Sequence, residues 1–114
     1  MKRLLFALLL HCALSQNATI RHLILGKWTA DADDASKSAA LSCLAELPAQ
    51  VPEILSYDVG ADLNLTAGNS DFGLVGTFAS VADFEAYEAS DPHQACLELL
   101  LPFLAEKRGL ELAA

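Results

Sequence analysis

Cations are scarce in this 114-residue chain: 7 Lys plus Arg stand against 15 Asp plus Glu, for a formal net charge of −8. A field of that sign repels phosphate backbones and argues against a sequence-independent nucleic-acid role. Cysteine is scarce as well. Its 3 residues are too few for a disulfide framework, and their spacings match no zinc pattern. Cys43 and Cys96 sit among leucines, where a free cysteine behaves as a small hydrophobe. Two buried thiols are expected there, with a bridge left open to them in an oxidising compartment. The chain also lacks a Gly-rich phosphate loop and any acidic cluster with metal-ligand spacing, so no nucleotide, metal or other cofactor is expected. No apolar run approaches the roughly 20 residues of a spanning helix, so no stable membrane span is expected.

What the chain does have is apolar material. It is 54% hydrophobic and 19% charged, which excludes a disordered chain, and its length suits one domain. An apolar share that high implies elements buried on more than one side, which a small monomer rarely achieves. The first residues stand apart. Met1-Lys2-Arg3 is basic, Leu4 to Leu10 is apolar, and Ala13 and Ser15 are small, which is the order of a secretory signal peptide. Residues 1–18 are therefore read as a leader and 19–114 as the domain, with secretion expected. Removal of Lys2 and Arg3 takes the net charge from −8 to −10. A start assigned too early is the alternative, and would make the chain cytoplasmic. Two sequons, Asn17-Ala18-Thr19 and Asn64-Leu65-Thr66, suit a secreted chain.

Ile20 to Trp28 reads as a strand, apolar in both alternating sets, and so covered on both faces. Asp31 to Asp34 supply a cap for a helix that runs to about Leu47, with Ala40, Leu41, Leu44 and Leu47 on one stripe. A second strand is expected over Ile54 to Gly60, with Leu55, Tyr57 and Val59 on one face. The third spans Asp71 to Phe78, where Gly73 and Gly76 signal a close neighbour. Ser80 opens a short helix ending near Glu88. Asp91 is the expected cap of the next, with Pro92 at its first position, a kink at Pro102 and an end at Gly109. Leu110 to Leu112 form a last short strand. The order β-α-β-β-α-β is the ferredoxin-like split βαβ, an α+β fold with an antiparallel sheet.

One region gathers titratable groups. His93 lies at a helix start, where the N-terminal partial positive charge favours the neutral base. Tyr87 lies six residues earlier, across a break that folds it back toward His93. His22 is on the first strand. Ile20-Arg21-His22-Leu23-Ile24-Leu25-Gly26-Lys27-Trp28 resembles the opening strand of the stress-responsive alpha-beta barrel (Dabb) family. Leu47 to Ile54 resembles its helix-to-strand passage, and Asn69 to Val75 its third strand. Phe84-Glu85-Ala86-Tyr87 followed by Asp91-Pro92-His93-Gln94-Ala95 is similar to its segment of Tyr, two residues and His-Pro-x-His. The resemblance covers about Ile20 to Leu112. Ser90 replaces the first histidine of that segment, and the proline comes one place late.

This resemblance implies a dimeric alpha-beta barrel, in which the sheet pairs with that of a second copy, and a pocket between sheet and helices. The pocket is assigned to His22, Trp28, Tyr57, Phe72 and Phe84, with a small apolar or aromatic molecule as ligand. Enzymes of the family, the plant polyketide cyclases, pair a histidine base with a tyrosine, and His93 and Tyr87 match those positions. Whether this chain is an enzyme is left open. The favoured reading is a homodimeric binding protein in which His93 and Tyr87 satisfy backbone groups. The alternatives are a cofactor-independent cyclase and, by fold analogy, a cofactorless monooxygenase.

Overall fold

Branched and aromatic apolar side chains in both alternating sets make Ile20–Trp28 the first strand, β1. The computed structural model describes residues 18–114; residues 1–17 of the expected leader, Cys12 and Asn17 among them, lie outside the described residues. The elements that follow are α1 (Asp34–Ala45), β2 (Ile54–Ala61), β3 (Phe72–Phe78), α2 (Val81–Ala89), α3 (Asp91–Leu100) and β4 (Leu104–Ala113). Strand order is β2-β3-β1-β4, antiparallel throughout. This is the ferredoxin-like α+β fold.

The register sorts side chains by face. Ile20 opposes Phe78, His22 opposes Gly76, Ile24 opposes Leu74 and Gly26 opposes Phe72, and all of these lie on the helix-covered face. Phe72, Leu74 and Phe78 join Ala40, Leu44, Leu47, Val51, Tyr87 and Cys96 in one buried core. A Cβ on Gly26 would overlap the Phe72 ring, and one on Gly76 would come within 2.9 Å of the Tyr57 ring. Those two glycines therefore admit aromatic rings against the sheet.

Among the described residues, no helix covers the opposite face. Leu25, Val75, Leu110 and Leu112 are exposed there, with Leu23 opposite both Val75 and Leu110.

Several local expectations change. The first helix ends at Ala45, and Leu47–Ala49 is a separate 3₁₀ turn with Pro48 inside it. In β2 the register shifts between Ile54 and Ser56, so Leu55 is exposed while Tyr57 and Val59 pack on the core. The cap of α3 is Ser90, not Asp91: the Ser90 hydroxyl accepts from the His93 N–H at 3.3 Å. A hydroxyl one residue earlier reaches the N–H of N3, which, like every N–H of a helix's first turn, has no intrahelical acceptor.

The largest correction concerns the C-terminal part. Pro102 does not kink a helix running to Gly109. The helix stops at Leu100, Leu101–Phe103 make a 3₁₀ turn, and β4 then runs ten residues through Gly109. Pairing with β1 from Trp28 opposite Leu104 to Ile20 opposite Ala113 satisfies that backbone.

The cysteines also differ from expectation. Cys43 in α1 and Cys96 in α3 form a disulfide, with their Cα atoms 5.5 Å apart. That separation is normal for a bridge.

Candidate functional site

A cavity of about 190 Å³ lies between the helices and the β1–β4 half of the sheet. His22 and Ile24 come from β1, Phe72 and Leu74 from β3, and Leu104, Lys107 and Glu111 from β4. The cover is Leu44 of α1, Tyr87 and Glu88 of α2, and His93, Leu97 and Leu100 of α3, with Leu101 following. Leucine therefore supplies much of the wall, and the polar groups are few: two imidazoles, two carboxylates and one ammonium.

His93 is placed by the break between α2 and α3. Its Nδ1 lies 3.0 Å from the Glu88 carbonyl oxygen, which also accepts from Gln94 Nε2 at 2.7 Å. A carbonyl only accepts, so Nδ1 carries the hydrogen and, in the neutral ring, Nε2 carries the lone pair. The ring is buried and packs on Tyr87 with centroids 4.5 Å apart.

His22 has a similar arrangement, with its ring centroid 6.0 Å from that of Tyr87. Its Nδ1 donates to Glu111 Oε1 at 3.0 Å, because Glu111 is the cross-strand partner of His22 in β4. Burial pulls the His22 imidazole below its ordinary value and outweighs the upward pull of Glu111 and Glu88. The ring is therefore neutral near pH 7, with Nδ1 as donor. Among the described residues, neither histidine's Nε2 has a hydrogen-bond partner.

Tyr87 forms a wall of the cavity, but its hydroxyl faces elsewhere: it meets the Tyr57 hydroxyl at 2.6 Å. Burial raises both phenols, Tyr87 to about 12 despite the hydrogen bond from Tyr57. Tyr57 thus supports the wall from behind. Phe84 packs on His22 with ring centroids 5.1 Å apart and does not line the cavity. Trp28 stacks on Phe72 at 4.4 Å and faces a different groove, with Thr29, Lys37 and Asp71. Of the residues assigned from the sequence, His22, Phe72, Tyr87 and His93 meet at one cavity. Glu88, Lys107 and Glu111 were missed. A β4 long enough to reach β1 would have pointed to Lys107 and Glu111, whose alternation puts them beside His22.

Among the described residues, no group of three or more His, Cys, Asp or Glu is arranged to hold a metal ion. No helix among them is long and apolar enough to cross a membrane.

The model of the stress responsive A/B barrel domain, Dabb, matches residues 20–110. The chain belongs to this family. A dimeric ferredoxin-like protein of unknown function from Thermobifida fusca is 34% identical, with a TM-score of 0.80 over 87% of this chain and 93% of its own. The hydroxynitrile lyase of Passiflora edulis is similar in fold, at 20% identity and a TM-score of 0.75, over 86% of this chain and 94% of its own. A Dabb family protein from Mesorhizobium loti, 13% identical, has a TM-score of 0.70 over 85% of this chain and 97% of its own. Among curated proteins none matches the chain.

Proposed function

We propose that this Dabb protein is a homodimer that binds a small, largely apolar molecule, such as a single aromatic ring, carrying a hydroxyl group. The carrying observation is the cavity beside His93: a leucine-lined space with an imidazole nitrogen that has no partner among the described residues. A cavity of roughly 150 Å³ is enough for benzene, so about 190 Å³ suits one substituted ring. Leucine walls favour the ring, and a neutral Nε2 accepts from a hydroxyl. The dimeric Thermobifida relative and the uncovered apolar sheet face support the homodimer.

Phenol and toluene test the binding reading, because they differ by one hydroxyl. Methyl resonances of Leu97, Leu100 and Leu104 should shift on titration with either compound. Phenol should bind about tenfold more tightly, the worth of one hydrogen bond. His93→Leu should remove that preference while toluene still binds. If neither compound moves those methyls, the binding reading fails.

A second reading, proton transfer in the manner of a cyclase, is favoured by the acceptors that hold both Nδ1 atoms, at Glu88 O and Glu111 Oε1. Such partners set the tautomer that leaves Nε2 as the base. Tyr87 supports this role as a wall beside His93, since its hydroxyl is engaged by Tyr57. On enolisable polyketide-like substrates, His93→Gln should then cost about 10²–10⁴ in rate with the fold intact. Turnover that survives the substitution would exclude His93 as the base.

A further inference from the structure

Ten residues, 62–71, join β2 to β3, where a hairpin commonly uses two to five. The base of the loop is tied: Asp62 N donates to Asp71 O at 2.8 Å. The Asp62 carboxylate accepts from Asn64 N at 3.0 Å and from Asn69 Nδ2 at 3.2 Å. Asn64 takes a left-handed conformation, φ 59, which asparagine tolerates better than most residues. Its carboxamide is exposed and makes no hydrogen bond among the described residues. On either side stand Leu63 and Leu65, 79% and 83% exposed, the most exposed of the large hydrophobic residues described. No residue from 63 to 70 lines the cavity.

We propose that Asn64 is a site of N-glycosylation, and that the chain folds in an oxidising secretory compartment where this modification is made. Two independent observations meet here. Asn64-Leu65-Thr66 has the acceptor pattern with no proline between, on a loop tip where the amide is accessible. The Cys43–Cys96 disulfide belongs to oxidising compartments and is rare in a reducing cytosol.

The co-reactant is a lipid-pyrophosphate-linked oligosaccharide. The Asn64 amide nitrogen forms a bond to the anomeric carbon and loses a proton. The anomeric carbon–oxygen bond breaks, and the lipid pyrophosphate departs with the electron pair. The product places a bulky, hydrated group beside Leu63 and Leu65, which lowers their availability for non-specific association. It leaves the cavity open, since no residue from 63 to 70 lines it.

The test is expression of the full chain in a eukaryotic secretory host, followed by amidase removal of N-glycans and peptide mass analysis. Wild type should carry a glycan whose removal converts Asn64 to aspartate. Asn64→Gln and Thr66→Ala should each lose that glycan, while Thr66→Ser retains it and guards against a folding artefact. Asn17→Gln in parallel assigns any glycan on the other sequon. Unmodified Asn64 in a secreted, disulfide-linked product would overturn the proposal. So would retention in the cytosol with Cys43 and Cys96 reduced.

Discussion

His22 and His93 both line the cavity beside the Tyr87 ring, and in each case an acceptor on the Nδ1 edge leaves Nε2 without a hydrogen-bond partner among the described residues. The acceptors differ in kind. A backbone carbonyl serves His93, whereas the carboxylate of Glu111 adds charge as well as a hydrogen bond at His22. Burial still dominates and holds His22 below its ordinary value of 6.5. In that window the unfolded chain binds the proton more readily than the folded one, so stability rises with pH. The His22 contribution should be complete above about pH 6.5 and be lost as pH falls toward the folded value. Thermal midpoints measured from pH 8 to pH 5 should fall toward acid. His22→Phe, a ring of similar shape beside Phe84, should flatten that part of the curve. In the same direction, Glu111→Gln removes a charge that raises the His22 value, so an NMR titration should find it lower still. A slope unchanged in His22→Phe would assign it to other groups.

Elements here are tied to one another across long stretches of chain. The disulfide joins α1 to α3 over a sequence separation of 53. Leu44 and Leu97, each next to one of its cysteines, line the cavity that those helices cover. Closing a loop of this size in the unfolded chain is worth roughly 2–4 kcal/mol. Urea unfolding of Cys43→Ala/Cys96→Ala should show a loss in that range, and reduction of wild type should give a similar one. A change below about 1 kcal/mol would mean that the bridge restrains the unfolded chain little. The buried-thiol expectation rested on leucine neighbours. Those same neighbours put α1 against α3 with the two cysteines in register, which local sequence does not disclose. The C-terminal strand carries the same lesson. Gly109 and Pro102 read locally as breakers of a helix, yet pairing with β1 along nine residues outweighs that local preference.

At the scale of the whole molecule, the helices cover one face of the sheet and leave Leu25, Val75, Leu110 and Leu112 on the other. A contiguous apolar patch of this kind marks an interface. In a two-fold dimer each residue of the patch occurs twice. Leu110→Lys should therefore weaken association by about 10²–10⁴-fold, from roughly 1.5–3 kcal/mol at each of two buried leucines. Light scattering should show wild type as a dimer at micromolar concentration and the variant shifted toward monomer. Monomeric wild type would remove the homodimer from the proposed function. The cavity lies on the helix-covered face and is lined within one chain, so ligand shifts at Leu97 and Leu100 should persist in the variant.

Local chemistry was legible from the residues alone. Strand-length apolar runs marked β1 and β3, the acidic run before α1 and the serine before α2 marked their starts, and the order of elements named the split βαβ arrangement. Their signals lie within a turn or a strand and require no knowledge of distant partners. His22, Phe72, Tyr87 and His93 were legible as candidates for the same reason, through patterns carried by short segments. Tertiary structure decided what those segments meet. It placed Glu111 beside His22 through a strand pairing 89 residues apart in sequence, turned the Tyr87 hydroxyl toward Tyr57, moved Trp28 to another groove and joined Cys43 to Cys96. Each of these is a contact between elements distant in the chain. Such contacts follow from packing around a shared core, where burial and backbone pairing outweigh the fractions of a kcal/mol that local propensity contributes per residue.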